Sequence, residues 1–415
     1  MDLKQIAHDI MSPKRAARQW FPHDRWTELR ALPTLAQLEP KGYDPFWAIV
    51  KHADITEIST QPDKFINAPR SVIGSRMREQ LMKAIPARGL IQMDPPDHRA
   101  YRKLVNNWFV PRNIKKLEDR MRQSATDLVE MMASAGTWEG DFVFDVGAIH
   151  PVRLISHILG LPASEEPYLI KLANEVFGSE DPEFQRGKDA QDTMKMFMEA
   201  FQYFKEIDVE RRKNPGEDLA SAIANGLVNG EPLGAMESVG YYIIILTAGH
   251  ETTRTAMSGG MNMLIENPGE VRKLQENPAL VKSAVEEMIR WTSPVNQFGR
   301  TATEDYEIRG TTIKKGESVC LFYGSANRDE EIFENPFEFR VDRDPNPHLG
   351  FGIGEHFCLG ASLARMEMQV FFEEFIPRLD VNSLERTGDV QYLASNFVGG
   401  VKHLPMRCRV AKAAA

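Results

Sequence analysis

The chain has 415 residues, 42% of them hydrophobic and 26% charged, with a formal net charge of −9. That composition is globular, long enough to bury a large core around a prosthetic group, and too acidic overall to support nucleic-acid binding. Three cysteines, Cys320, Cys358 and Cys408, lie far apart with no CxxC pair, which excludes a disulfide framework and suits a reducing, cytoplasmic setting.

Residues 1–20 mix charges with apolar side chains and hold no continuous apolar stretch of the kind that targets a chain for secretion. The longest apolar run, 241–246, is far too short to span a bilayer, so a soluble protein with no membrane association is expected. A strand signal comes first, at 47–50. Helical periodicity follows over 113–135, 190–212, 235–267 and 281–291. A hairpin-like stretch covers 306–319, with Gly310 and Gly316 as turn residues. Residues 335–360 are rich in Pro and Gly and read as one irregular segment, of the kind that is usually functional inside a compact domain. It runs into a helix over 359–376.

Four clusters carry chemistry. His98 and Arg102 stand four apart just after Pro96, which suits the first turn of a helix, and together they can clamp an anion; either alone reads as a surface charge. In Leu246-Thr-Ala-Gly-His-Glu-Thr-Thr-Arg254, Ala248 and Thr252 share a helix face. A Thr hydroxyl there can bond back to the carbonyl four residues earlier and bend the helix, and Gly249 removes bulk, so a small notch can open. His250-Glu251 resembles the start of a zinc HExxH site, but Arg254 occupies the second His position; otherwise the Glu-Thr-Thr run reads as a solvated face. Glu287 and Arg290 form an i, i+3 pair, which in an isolated helix stabilises by roughly 0.2–0.5 kcal/mol.

The fourth cluster is Phe351-Gly-Ile-Gly-Glu-His-Phe-Cys-Leu-Gly360. Gly352 and Gly354 permit a tight backbone around Cys358, whose thiolate can be stabilised by loop N–H groups and the start of the next helix. Gly360 lets that helix pass beneath a flat macrocycle, so the loop suits haem ligation. A buried free cysteine in a Gly-rich turn is the plain alternative. A dinucleotide loop fails because Phe357 stands where the third glycine belongs, and zinc fails because His356 and Cys358 have no partner pair.

This segment matches the FGxGxHxCxG pattern at every fixed position, and on it the chain resembles the cytochrome P450 family. The resemblance runs over nearly the whole chain. It is closest to the bacterial branch that includes the alpha-terpineol hydroxylase, through Gly42-Tyr-Asp-Pro-Phe-Trp47, Asn107-Trp-Phe109, Arg290-Trp-Thr292, Ser325-Ala-Asn-Arg-Asp-Glu-Glu331 and Asn396-Phe-Val-Gly-Gly400. It implies one triangular, mainly helical domain over 1–415 with small β-sheets and no fused reductase. It implies haem b with Cys358 as axial ligand, Phe351, Gly352, Gly360, Ala248 and Gly249 beside the macrocycle, and His98, Arg102, Arg300, His348 and His356 around the propionates. Thr252 would donate to the oxygen being activated, and Glu251 would relay protons from solvent. Glu287, Arg290 and Arg343 would brace the cysteine loop. The substrate wall would comprise Ile244, Ile245, Thr247, Val295, Asn296, Gln297, Phe298, Asn396, Phe397 and Val398. No cation stands among these to hold a fatty-acid carboxylate, although the stretch 68–90 contains Arg70, Arg76 and Arg78. Such a wall suits a monoterpenoid, alkyl-aromatic or alicyclic compound hydroxylated with O2. Electrons would come from a separate [2Fe–2S] ferredoxin and its flavin reductase, docking at Lys103, Arg112, Lys115 and Lys116. A peroxide-driven enzyme or a haem sensor or carrier of the same fold would not need the Glu251–Thr252 pair.

Overall fold

The structure, a computed structural model, describes residues 2–84, 89–187 and 190–413; part of the stretch 68–90 therefore lies outside the described residues. Its centre is the helix Ala235–Glu266. Its residues are buried on almost every side, as an apolar pattern running round the whole helix requires. The Glu237 carboxylate accepts the Gly234 N–H at 2.7 Å and caps its start. Against it pack the helices Ile149–Ile158, Glu166–Phe177, Ala190–Lys213 and Val281–Thr292. The helix Ala361–Phe375 begins directly after the cysteine loop and lies on Glu118–Ser134. The helix expected over 113–135 is interrupted: Pro111–Ile114 is followed by a tight 3₁₀ turn, Lys115–Leu117, before Glu118–Ser134 begins.

The main sheet has five short strands in the order Ala36–Leu38, Phe46–Ile49, Ser318–Phe322, Gln297–Ala302, Phe65–Ile66. Only the pairing of Phe46–Ile49 with Ser318–Phe322 is parallel. The expected hairpin is confined to Tyr306–Ile308 and Thr311–Ile313, turning through Arg309 and Gly310 at φ 49° and 68°. Residues 318–322 leave it to become a central strand because all five are buried. Their side chains alternate between two apolar clusters, Cys320 and Phe322 on one face and Val319 and Leu321 on the other. Cys320 is thus a core side chain, and Cys408 lies in the large helical core.

Glu287 organises the irregular segment. Arg290 donates to both of its oxygens at 2.7 Å, and Arg343 Nε lies 3.1 Å from each. The two guanidiniums then reach the carbonyls of Asn327, Glu334, Pro336 and Glu338. Burial raises the Glu287 pKa, but the arginines outweigh it and hold the group ionised. These bonds secure residues 327–346; the cysteine loop that follows is held by other groups.

Among the described residues, no helix is long and apolar enough to cross a membrane.

Candidate active site

Cys358 is exposed to the large cavity that it helps to line. Its N–H donates to the Phe351 carbonyl at 2.9 Å, closing the loop on itself. Burial pushes its thiol up, opposed by the Gly360 N–H and by Arg102 and Arg365. Gly354 has φ 78°, and a Cβ there would collide with the Ser59 carbonyl, so the loop can seat against the helix His52–Ser59 only with glycine. At Gly352 and Gly360 a Cβ would meet nothing within 4 Å, which leaves that wall flat and open.

The central helix forms a second wall of the same cavity. Ile244, Ile245, Ala248, Gly249, Thr252 and Thr253 line it, a spacing that selects one helical face. Thr252 Oγ1 donates to the Ala248 carbonyl at 2.7 Å, the expected backward bond. Ala248 is the exposed small residue of the notch. Gly249 serves packing as well, since a Cβ there would lie 2.5 Å from Ile155 of the crossing helix.

Thr247 points off this face, is buried, and donates to Ile243 at 2.7 Å, so it does not belong to the wall. Glu251 is also off it and almost fully buried, bonded to Arg254, which in turn donates to Asn174 at 2.7 Å. Burial raises the Glu251 pKa and Arg254 opposes the rise. His250, pushed down to about 3 by burial, is neutral and bonds the Ala148 carbonyl. Glu251, expected to relay protons from solvent, is thus held in a buried ion pair with Arg254.

The cavity also receives cations. Arg300 is 4% exposed, and among the described residues neither it nor Arg102 has an ion-pair partner. Arg300 bonds its neighbour Gly299's carbonyl and lies beside the Tyr323 hydroxyl; Arg102 reaches the carbonyl of Phe357 at 2.7 Å. Burial lowers the pKa of both guanidiniums. His98 and His356 line the same region with ring centroids 4.1 Å apart, and burial lowers the pKa of both, His356 to about 3. A buried guanidinium, Arg300, and a half-buried one, Arg102, at a cavity whose described lining holds a single carboxylate, Glu367, fit an anionic, flat ligand such as a haem with its propionates. His348 does not take part: its Nε2 lies 3.0 Å from Glu286 Oε2 and its Nδ1 accepts the Gly350 N–H.

The strand Gln297–Ala302 explains which wall residues are present. Side chains alternate along it, so Phe298 and Arg300 face the cavity while Gln297 turns away to bond Ile73 on both backbone groups. Val295 lines the cavity and Asn296 does not; Asn296 bonds the Asn396 carbonyl instead. Asn396, Phe397 and Val398 also stand behind the wall. Asn396 reaches Tyr43, Phe397 packs on Phe298 with centroids 5.6 Å apart, and Val398 bridges to Val295. The expected set 295–298 and 396–398 is thereby corrected to Val295 and Phe298. Tyr241, Ile155, Ile289 and Tyr323 add to the apolar lining without any motif to announce them, since each is an ordinary core residue in sequence. Arg70, Arg76 and Arg78 do not line the cavity; their nearest acids are Glu79, Asp44 and Glu180.

Comparison with known proteins agrees with this architecture. The family profile "Cytochrome P450" matches residues 64–403. The chain is 38% identical to Cytochrome P450-terp of a Pseudomonas species over 97% of both proteins. It is 34% identical to the linalool 8-monooxygenase of Pseudomonas putida, over 95% of this chain and 97% of that one. The steroid C26-monooxygenase of Mycolicibacterium smegmatis is 36% identical over 88% of this chain and 83% of its own. A crystal structure of CYP108D1 from Novosphingobium aromaticivorans superposes with a TM-score of 0.89 at 36% identity, covering 98% of this chain and 99% of that one. A thiol loop and a notched helix across one cavity, with a profile spanning most of the sequence, lead to one conclusion: the chain belongs to the cytochrome P450 family and is a haem-thiolate monooxygenase.

Proposed function

We propose that the enzyme hydroxylates an unactivated C–H of a compact hydrophobic molecule, a monoterpenoid or an alkyl-aromatic or alicyclic compound of similar size. Cys358 holds the haem iron, and Arg102, Arg300, His98 and His356 hold its propionate side. Haem, when bound, supplies the activation of O2. The chain's own residues would do the rest: Ile244, Ile245, Val295 and Phe298 would exclude water and orient the substrate, and the Thr252 hydroxyl would hold a proton at the cavity wall. The whole chain acts as one haem domain that receives electrons from a separate [2Fe–2S] ferredoxin fed by a flavin reductase, in the cytoplasm.

The observation that carries this reading is the lining itself. Opposite Cys358 the wall is apolar, and among the described residues its only cations are the two arginines assigned to the propionates. Among the described residues no lining cation is left for a fatty-acid carboxylate. Among the relatives, the name linalool 8-monooxygenase points to a terpene and the steroid names to a larger ring system. Binding of a monoterpene alcohol with about eleven heavy atoms, at roughly −0.7 kcal/mol per atom, gives about −8 kcal/mol and a Kd on the order of 1 μM. Titration of the resting enzyme with monoterpenols is expected to convert the haem from low to high spin in that range. Productive high-affinity binding of steroids or long fatty acids, with none for ring compounds of about ten carbons, would contradict the reading.

Lys103, Arg112, Lys115 and Lys116 are exposed and without ion-pair partners among the described residues. The half-exposed Phe357 beside Cys358 is tied to this surface through Arg102. Residues 111–114 pack on the helix that follows Cys358. This surface suits an acidic ferredoxin. The double variant Arg112→Glu/Lys116→Glu is expected to weaken ferredoxin association at low salt. The deficit should shrink as salt approaches 0.15 M, where the screening length is about 8 Å. Ferredoxin kinetics unchanged at low salt would remove the surface from the proposal.

A further inference from the structure

Two adjacent carboxylates on the helix Val281–Thr292 hold different parts of the site. Glu287 secures residues 327–346 as described. Glu286 grips Arg365 with two parallel bonds, Nε to Oε1 at 2.7 Å and Nη2 to Oε2 at 2.8 Å, and also takes His348 Nε2 at 3.0 Å. Arg365 stands on the helix that follows Cys358. Its guanidinium lies over the Phe351 ring, 4.4 Å from the centroid. The carbonyl of that same Phe351 accepts the Cys358 N–H, and His348 accepts the Gly350 N–H at 3.1 Å. Every contact of this cluster ends on the cysteine loop or on the helices flanking it. The fork fixes the guanidinium in one orientation, which a monodentate pair would not do. Solvent screens it in part, since Arg365 and Glu286 side chains are 32% and 27% exposed. The Glu286 carboxyl is held down at about 2; burial works against this, and His348 and Arg365 overcome it.

We propose that Arg365, oriented by Glu286 and stacked on Phe351, is a positioning residue whose fixed charge sets how readily the haem held by Cys358 is reduced. This rests on the reading of Cys358 as the ligand. Reduction adds an electron near the thiolate, so a nearby cation favours the reduced state and a nearby carboxylate opposes it. Arg365 and Glu286 therefore act with opposite signs, although they form one structural unit.

The test is potentiometry of the haem-loaded enzyme. Arg365→Leu should lower the equilibrium constant for one-electron reduction about three- to tenfold, roughly 30 to 60 mV at 59 mV per tenfold. Glu286→Gln leaves the cation without its counter-charge and should raise the constant by a similar factor. The double variant should return towards wild type, and Arg365→Lys should stay within about twofold of it. Mere loosening of the loop would move Arg365→Leu and Glu286→Gln in the same direction, and that result overturns the proposal. If Arg365→Leu does not retain haem, the other single variants decide: an unmoved Glu286→Gln overturns it, and a raised Glu286→Gln with near-normal Arg365→Lys supports it. Failure of the ligand reading shows separately, as a Cys358→Ser protein that keeps a thiolate-type carbon-monoxide spectrum.

Discussion

Cys358→Ser is expected to abolish both the strongly red-shifted Soret band of the reduced carbon-monoxide complex and all turnover. Serine preserves the loop, because the Cys358 N–H bond to Phe351 and the flanking turns use backbone alone. What it removes is the thiolate, whose electron donation gives a haem of this class its spectrum and its ability to favour O–O cleavage. Cys320→Ser and Cys408→Ser supply the contrast. Both side chains are fully buried in apolar clusters. A hydroxyl there costs about 1–3 kcal/mol of stability if it finds no partner, while the band remains. Carbon-monoxide difference spectra of the three purified variants make the comparison, and a normal band in Cys358→Ser refutes the assignment.

The second large effect is expected on the central helix. Thr252→Ala removes the hydroxyl that faces the cavity and leaves the helix intact, since Oγ1 bonds only the Ala248 carbonyl. Substrate binding and NADH consumption should persist while product falls, with the reducing equivalents leaving as hydrogen peroxide or water. Glu251→Gln should slow turnover instead, by about 10²–10⁴-fold, the usual effect of losing a positioned proton donor. The buried pair with Arg254 adds a pH dependence. Burial raises the Glu251 pKa and Arg254 lowers it, so Arg254→Leu raises it further. If the relay requires ionised Glu251, Arg254→Leu loses activity as pH falls through that raised pKa and regains it as pH rises. His250 does not titrate in this range, being held neutral down to about 3. Product yield per NADH and pH–rate profiles check these outcomes; wild-type coupling in both Thr252→Ala and Glu251→Gln would remove the relay.

The sequence made the cysteine loop, the central helix and the Glu287–Arg290 pair legible because each depends on local spacing. A four-residue interval fixes a helix face, and a Gly-rich run fixes a tight loop. The helices Ile149–Ile158 and Glu166–Phe177 escaped that reading. They run only ten and twelve residues, too few turns for a helical period to stand out in the sequence. The wall was legible only in part for another reason. A contiguous stretch such as 295–298 cannot all face one cavity once 297–302 becomes a strand, and a loop such as 396–398 can serve as backing instead of lining. Partner choice was the least legible. Glu251 with Arg254, and Glu286 with Arg365 and His348, are settled by side-chain geometry between elements, and nothing in the spacing of His348 distinguishes a propionate contact from a partner of Glu286.

The central claim is that one oxygen atom of O2 enters a small hydrophobic substrate. It is tested most directly by turnover under isotopically labelled dioxygen with ferredoxin, its reductase, NADH and a monoterpenol. The account predicts an alcohol carrying one labelled oxygen, formed in step with NADH consumption. Product whose oxygen comes from water, or product formed only when hydrogen peroxide replaces O2 and the electron donors, would contradict it.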